Sequence, residues 1–226
     1  MLDYYTVRSL GGNGRKVSIM LAETGLEHVV HFVDIEKGEQ KEDWFTAINP
    51  NGRIPAIVDH DLPGGLRLGE SGAILVHLAE KTGRFLPAEP KARAQTLMWT
   101  FWQVGGVGPM FGQWSYFART AAERVPFAIQ RYRDECERLF DTFDRNLAAQ
   151  EYAADEYSIA DMALLPWMKP GYAGLMRAMP DARDRWPNLR RWIAAVEARP
   201  AVALAMSCAE GAAARIGHGA SSAERV

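Results

Sequence analysis

Every strand-like run in this chain ends before residue 70, and from residue 91 onward no convincing strand is found. Residues 2–7 and 29–34 are short strand-like runs with β-branched and aromatic side chains, and 54–60 and 66–69 read as further strands. A sheet made from these alone must be small and N-terminal. The rest of the chain must then build a separate, helical core.

Local patterning fills in the order. Between the first two strands, NGRKVSIMLAETG places Val17, Met20, Leu21 and Thr24 at i, i+3, i+4 and i+7, one face of a helix. Asn13 is the expected N-cap and Gly25 the expected C′ glycine. A Pro-Gly-Gly turn joins the third and fourth strands. ESGAILVHLAEKTG then predicts a helix with Ile74, Leu75, Leu78 and Ala79 inward and Gly83 as its stop. The reading is α/β plus all-α: a βαβ-ββα domain over residues 1–85, a linker at 86–92 inside the proline-bearing FLPAEPKA, and an all-helical domain at 93–209. Residues 91–119 form a Trp-rich helical stretch, interrupted by GGVGPM. A later stripe joins Tyr132, Cys136, Leu139, Phe140, Phe143 and Leu147, and PNLRRWIAAVEARP turns Leu189, Trp192, Ile193 and Val196 inward. Residues 210–226, rich in Ala, Gly and Ser, are expected to be a frayed tail.

Charge and cysteine usage narrow the class. With 26 basic and 28 acidic residues, the net charge of -2 lacks the basic excess that phosphate neutralisation needs, so no nucleic-acid partner is expected. No run of about 18 apolar residues is present, which argues against a membrane span. Asp3 stands where a signal peptide wants positive charge, and Cys136 and Cys208 are too few for a disulfide framework. A cytoplasmic protein is expected. The histidines at 28, 31, 60, 77 and 218 show no zinc spacing, so no metal is expected.

Four local features could carry chemistry. GGNGRKVS follows a strand and opens a helix, but with Gly12 and Gly14 as the first two glycines the third dinucleotide-binding position falls on Val17, and no G-K-[ST] follows. Its alternative is a plain flexible turn. In NPNGRIPAIVDH, Pro55 heads a strand; a cis bond there would turn the backbone N–H and C=O of Ile54 toward a ligand, whereas the plain alternative is an edge-strand proline. In GESGAIL, Ser71 opens a helix, whose N-terminus favours a carboxylate, while neighbouring Glu70 favours an ammonium. An α-amino acid head group satisfies both; the alternative is a plain serine cap. Finally, Ser158 and Asp161 in SIADMALLPW are spaced as a capping box and read as structural. Cys136 reads as a small core hydrophobe. The tryptophans at 99, 102 and 114 read as core, with Trp114 the one that could line a cleft.

Taken together, NPNGRIPAIVDH, ESGAILVHLAEKTG, WQVGGVGPMFGQ and SIADMALLPW resemble the glutathione transferase family, over about residues 2–205. The N-terminal part resembles its thioredoxin-like domain, and the combination is similar to the nu class, which includes glutathione-dependent disulfide-bond oxidoreductases. The resemblance implies roles. Glu70 and Ser71 would hold the γ-glutamyl head of glutathione, Ile54 would pair its backbone with the cysteinyl part, and Gln40 would reach the glycyl end with Arg53 nearby. Asn13 would face the sulfur, and Arg138, or Arg131 on the same helix, would reach a second glutathione. The nu pattern has Thr two positions before the Asn, where this chain has Gly11; Ser9 is the candidate replacement hydroxyl. Tyr4 and Tyr5 lie too early for the tyrosine role of other classes.

No cysteine stands where cysteine-type members carry theirs, so the reacting sulfur would come from glutathione. A free thiol ionises near pH 8.5, and lowering that by two units takes about 2.7 kcal/mol of differential stabilisation of the thiolate. The implied reaction is reduction of a small disulfide by thiol–disulfide exchange. The alternatives are conjugation or thiolytic cleavage of an aromatic electrophile, or a glutathione-binding regulatory protein with little turnover. A homodimer is implied by the family.

Overall fold

The computed structural model describes residues 1–8, 11–179, 182 and 184–207. Two compact units divide the described residues: Met1–Thr82 together with Pro200–Ser207, and Gly83–Arg199. The expected tail and Cys208 lie outside the described residues.

The first unit runs β1 (Leu2–Thr6), α1 (Gly12–Thr24), β2 (His28–Phe32), a 3-10 turn (Glu39–Lys41), α2 (Asp43–Thr46), β3 (Ala56–Asp59), β4 (Leu66–Leu68) and α3 (Ser71–Thr82). This is the expected βαβ-ββα order, with the 3-10 turn and α2 added in the connection. The sheet order is β2-β1-β3-β4. β1 pairs parallel with β2 (Tyr4 opposite Val30) and antiparallel with β3 (Tyr4 opposite Ile57). β3 pairs antiparallel with β4. The central strands carry the core: Leu2, Tyr4 and Thr6 alternate inward along β1, and all four residues of β3 are buried.

α1 buries more than the expected stripe. Val17, Met20 and Leu21 are inward, but so are Gly14, Lys16 and Ile19. A further element, α9 (Pro200–Ser207), also packs on α1, with Val202 and Ala205 buried. Gly25 ends α1 in the left-handed region (φ 69), its N–H donating to Leu21 O at 2.9 Å.

The second unit holds α4 (Pro90–Trp102), a π-helical segment (Gln103–Val107), α5 (Gly108–Arg119), α6 (Pro126–Leu147), α7 (Ile159–Ala178) and α8 (Pro187–Glu197). Glu89 caps α4, accepting from the N–H groups of Lys91 and Ala92. The glycine-bearing interruption expected near 105 is the π segment, which carries α4 into α5 without a loop. On α6, Cys136, Leu139, Phe140, Phe143 and Leu147 are buried; Tyr132 is only half-buried and stacks on Phe117. Close approach of α7 to α5 explains Gly171: a Cβ there would lie 2.0 Å from the Phe111 ring.

Ser158 and Asp161 form the expected capping box. Ser158 Oγ accepts from the Ala160 N–H at 3.3 Å, and Asp161 Oδ2 accepts from the Ser158 N–H at 3.0 Å. Ser158→Ala is expected to cost about 1 kcal/mol in chemical denaturation, the usual worth of such a cap. The carboxylate reaches further than a cap, however. Its Oδ1 also accepts from the Ala153 N–H at 2.9 Å and from Trp192 Nε1 on α8 at 2.8 Å.

Candidate active site

The N-terminus of α1 is a donor end. Arg15 N–H, donating to Gly11 O at 3.1 Å, makes the first helical bond, and no acidic residue occupies the first turn. The N–H groups before it, with the helix dipole, favour negative charge. The cap is Gly11 (φ -67, ψ 138), without a side-chain bond, so the expected Asn13 cap is corrected. Asn13 is instead the second residue of α1, exposed in its first turn. The helix starts early because Gly14 fits against β1: a Cβ there would lie 2.6 Å from Thr6 Oγ1, and the Tyr4 hydroxyl donates to Gly14 O at 2.7 Å. Tyr4 is thus a buried strut, and burial raises its phenol above the usual range. Tyr5 stacks on His31, with centroids 4.7 Å apart. Ser9 lies outside the described residues.

A second group of residues is held by one asparagine that the sequence reading passed over. Asn49 is buried; its Nδ2 donates to Arg53 O at 2.6 Å and its Oδ1 accepts from the Asn51 N–H at 3.2 Å. The chain crosses over it at Gly69, where a Cβ would sit 2.6 Å from the Asn49 amide. Glu70 follows in the left-handed region (φ 59), with Asn51 Nδ2 donating to its Oε1 at 3.4 Å. The Ile54-Pro55 peptide is cis, directly ahead of β3. Gly52 (φ 60) lies against the Gln40 carbonyl, 2.8 Å from where its Cβ would be. Gln40 Oε1 is buried without a hydrogen-bond partner among the described residues, and Arg53 is exposed. Gln40, Arg53, Ile54, Glu70 and Ser71 therefore belong to one continuous assembly.

Ser71 is the buried first residue of α3, and Glu70 O accepts the Ile74 N–H at 2.9 Å. Beneath it comes Lys16 from α1, one turn beyond Asn13. Lys16 is 1% exposed, and its Nζ donates to Ser71 Oγ at 3.2 Å. Burial pushes the ammonium down to about 7, with the charge of Glu70 opposing. Lys16 was missed in the sequence, yet a signal existed: it sits four residues before Met20, on an otherwise apolar helix face.

Arg138 belongs to the second unit. Its guanidinium forks onto Glu135, with Nε–Oε2 at 2.8 Å and Nη2–Oε1 at 2.7 Å. It lines a groove of about 750 Å³ together with Met110, Phe127, Arg131 and Tyr132. Both arginines weighed from the sequence thus edge the same groove. Trp114 is buried against Gly174 on α7. Cys136 is buried, and its thiol is pushed up to about 12 by burial and the nearby glutamates, which makes it a poor nucleophile. Among the described residues, no cluster of His, Cys, Asp and Glu fits a metal ion, and no helix is long and apolar enough to cross a membrane.

Comparison with known proteins meets this geometry. Residues 13–81 match the glutathione S-transferase N-terminal domain and residues 126–195 the glutathione S-transferase C-terminal domain. The Escherichia coli (strain K12) protein named disulfide-bond oxidoreductase YfcG is 41% identical over 210 residues, covering 91% of this chain and 94% of that protein. A Pseudomonas putida glutathione transferase, crystallised with one glutathione disulfide bound per subunit, superposes with a TM-score of 0.84 at 38% identity, covering 91% of this chain and 90% of that one. A Burkholderia graminis glutathione transferase with two glutathione molecules per subunit gives a TM-score of 0.82 at 39% identity, covering 91% and 87%.

Proposed function

Because this chain belongs to the glutathione S-transferase family, we propose that it reduces small disulfides by thiol–disulfide exchange with glutathione as the thiol. The observation that carries this reading is the pairing at the start of α3. An exposed carboxylate, Glu70, is held in a left-handed conformation beside a buried donor, Ser71, with the Lys16 cation behind it. An α-amino acid head group offers the matching ammonium and carboxylate, and the γ-glutamyl end of glutathione is one. The name of the E. coli relative supports the reaction class, and the glutathione disulfide held by the P. putida enzyme supports the ligand.

In this reading Glu70 takes the ammonium and Ser71 the carboxylate. Ile54 offers its backbone to the cysteinyl part, and Gln40 reaches the glycyl end with Arg53 nearby. Asn13 donates its amide N–H toward the sulfur, at the helix end where anions are favoured. Glutathione supplies the nucleophilic sulfur. Arg138 or Arg131 receives a second glutathione at the α6 groove, consistent with the two molecules per subunit in the B. graminis relative. The protein works as a cytoplasmic homodimer without a metal. A second reading, attack on an aromatic electrophile, draws on Phe127, 78% exposed beside Met110 in that groove.

Turnover with hydroxyethyl disulfide against turnover with chlorodinitrobenzene separates the two readings. Faster disulfide turnover supports reduction, the reverse supports conjugation, and silence in both refutes each. Ser71→Ala is expected to raise the half-saturating glutathione concentration about tenfold, the worth of one hydrogen bond to a charged group. An unchanged value would refute the head-group assignment.

A further inference from the structure

Lys16 is a lysine where the fold has every reason to place an apolar residue. It lies on the buried face of α1 with Val17 and Met20, under the start of α3. Its ammonium is 1% exposed and reaches Ser71 Oγ at 3.2 Å. Lysine is rarely buried to this degree, because taking an ammonium out of water costs several kcal/mol. A methionine would fill the same space without that cost. The position therefore needs a cation for part of the protein's cycle.

We propose that Lys16 is the positioning cation of the head-group subsite, and that filling the subsite with glutathione is coupled to uptake of one proton by Lys16. This rests on the assignment of glutathione to Glu70 and Ser71. Among the described residues, the elements packed around Lys16 bring the following charged and titratable groups. From the loop ahead of α3, Glu70 favours the charged form. Further along α3, His77 and Lys81 are both engaged by Asp59 of β3. From β1, the Tyr4 hydroxyl is bound to Gly14 O. Arg15 precedes Lys16 on α1 itself, and α9, PAVALAMS, brings no charged residue.

The ammonium is poised near neutrality, at about 7, so it sheds its proton in mildly alkaline solution. A carboxylate arriving on Ser71 brings a full negative charge close to Nζ and restores the charged form. The proton comes from solvent, the ligand's carboxylate stays ionised, and the buried site gains a neutralised pair. The sign follows from linkage. Above the free-state value, each further pH unit lowers affinity about tenfold, until the higher value of the bound state is reached. Below it Lys16 is already charged, and affinity is flat.

Titration calorimetry with S-methylglutathione, which has no titrating thiol, tests this in buffers of different ionisation heat at about pH 6 and about pH 8. The wild-type chain is expected to take up almost no protons at the lower pH and close to one at the higher. Lys16→Arg, permanently charged, is expected to bind without uptake, with equal affinity at both pH values. Lys16→Met is expected to bind about tenfold or more weakly at the lower pH, again without uptake. The ligand's own ammonium titrates alike in all three proteins, so the differences isolate Lys16. Wild-type binding at the higher pH without proton uptake overturns the proposal, as does wild-type uptake persisting in Lys16→Met. If Lys16→Met does not fold, the wild-type and Lys16→Arg series decide. No binding heat from the wild type at either pH overturns the glutathione assignment itself.

Discussion

Asp161→Ala is expected to lower unfolding stability by about 3 kcal/mol, with a fall in Tm of about 6–12 °C in calorimetry. The side chain is fully buried and holds three N–H groups: Ala153 in the preceding loop, Ser158 at the helix cap, and Trp192 on α8. Alanine leaves those donors unpaired at roughly 1–3 kcal/mol each. Removing a desolvated carboxylate returns part of this. Burial raises that carboxyl from its ordinary 3.8 to about 6, while the three N–H donors pull the other way. The upward shift corresponds to roughly 3 kcal/mol at neutral pH, so the loss of partners still wins. A native-state value above the unfolded one means that the protonation-linked part of this residue's contribution is fully present below about 4 and is lost as pH rises through about 6, while the hydrogen bonds to the ionised carboxylate remain above it. Asp161→Asn, which cannot titrate, is expected to flatten that stretch of the stability–pH profile. A slope unchanged in Asp161→Asn would show that another group sets it.

Asn13→Ala is expected to cut disulfide turnover by about 10- to 100-fold while the half-saturating glutathione concentration moves by less than about twofold. One hydrogen bond to an anion is worth about 1.5–3 kcal/mol, and each 1.4 kcal/mol is a factor of ten in rate. The loss should fall on turnover because the thiolate, not the tripeptide's head group, is what Asn13 faces in this reading. The first-turn N–H groups of α1 and its dipole remain in the variant, so activity should not vanish. Stopped-flow detection of bound thiolate should show its apparent pKa rising by one to two units. Full activity in Asn13→Ala would remove Asn13 from the mechanism, and loss of saturation by glutathione would make it a binding residue.

The strands, α1, α3 and the Ser158–Asp161 cap could be read from the chain because each is announced locally. Runs of β-branched residues, the 3.6-residue apolar spacing, and caps at fixed offsets all operate within one turn or one strand. Pro55 at the head of an apolar strand and Ser71 beside Glu70 were legible for the same reason. The reading of Asn13 as a cap failed because Gly11 and Gly14 allow the chain to enter the helix two residues earlier, against Thr6, a contact that no spacing rule encodes.

What the sequence alone determined, then, was the order of elements, the division between a small sheet and a helical remainder, and the residue types able to meet an amino-acid head group. Tertiary structure alone decided the sheet order β2-β1-β3-β4, the support of Gly69 and Arg53 by Asn49, and the tie from Asp161 to Trp192 across thirty-one residues. It also decided that Lys16 ends beneath Ser71, fifty-five residues away in the chain. Such pairings depend on which surfaces the folded elements press together. Periodicity shows that a face is covered, but not by what; only the packed molecule sets a buried ammonium against its hydroxyl.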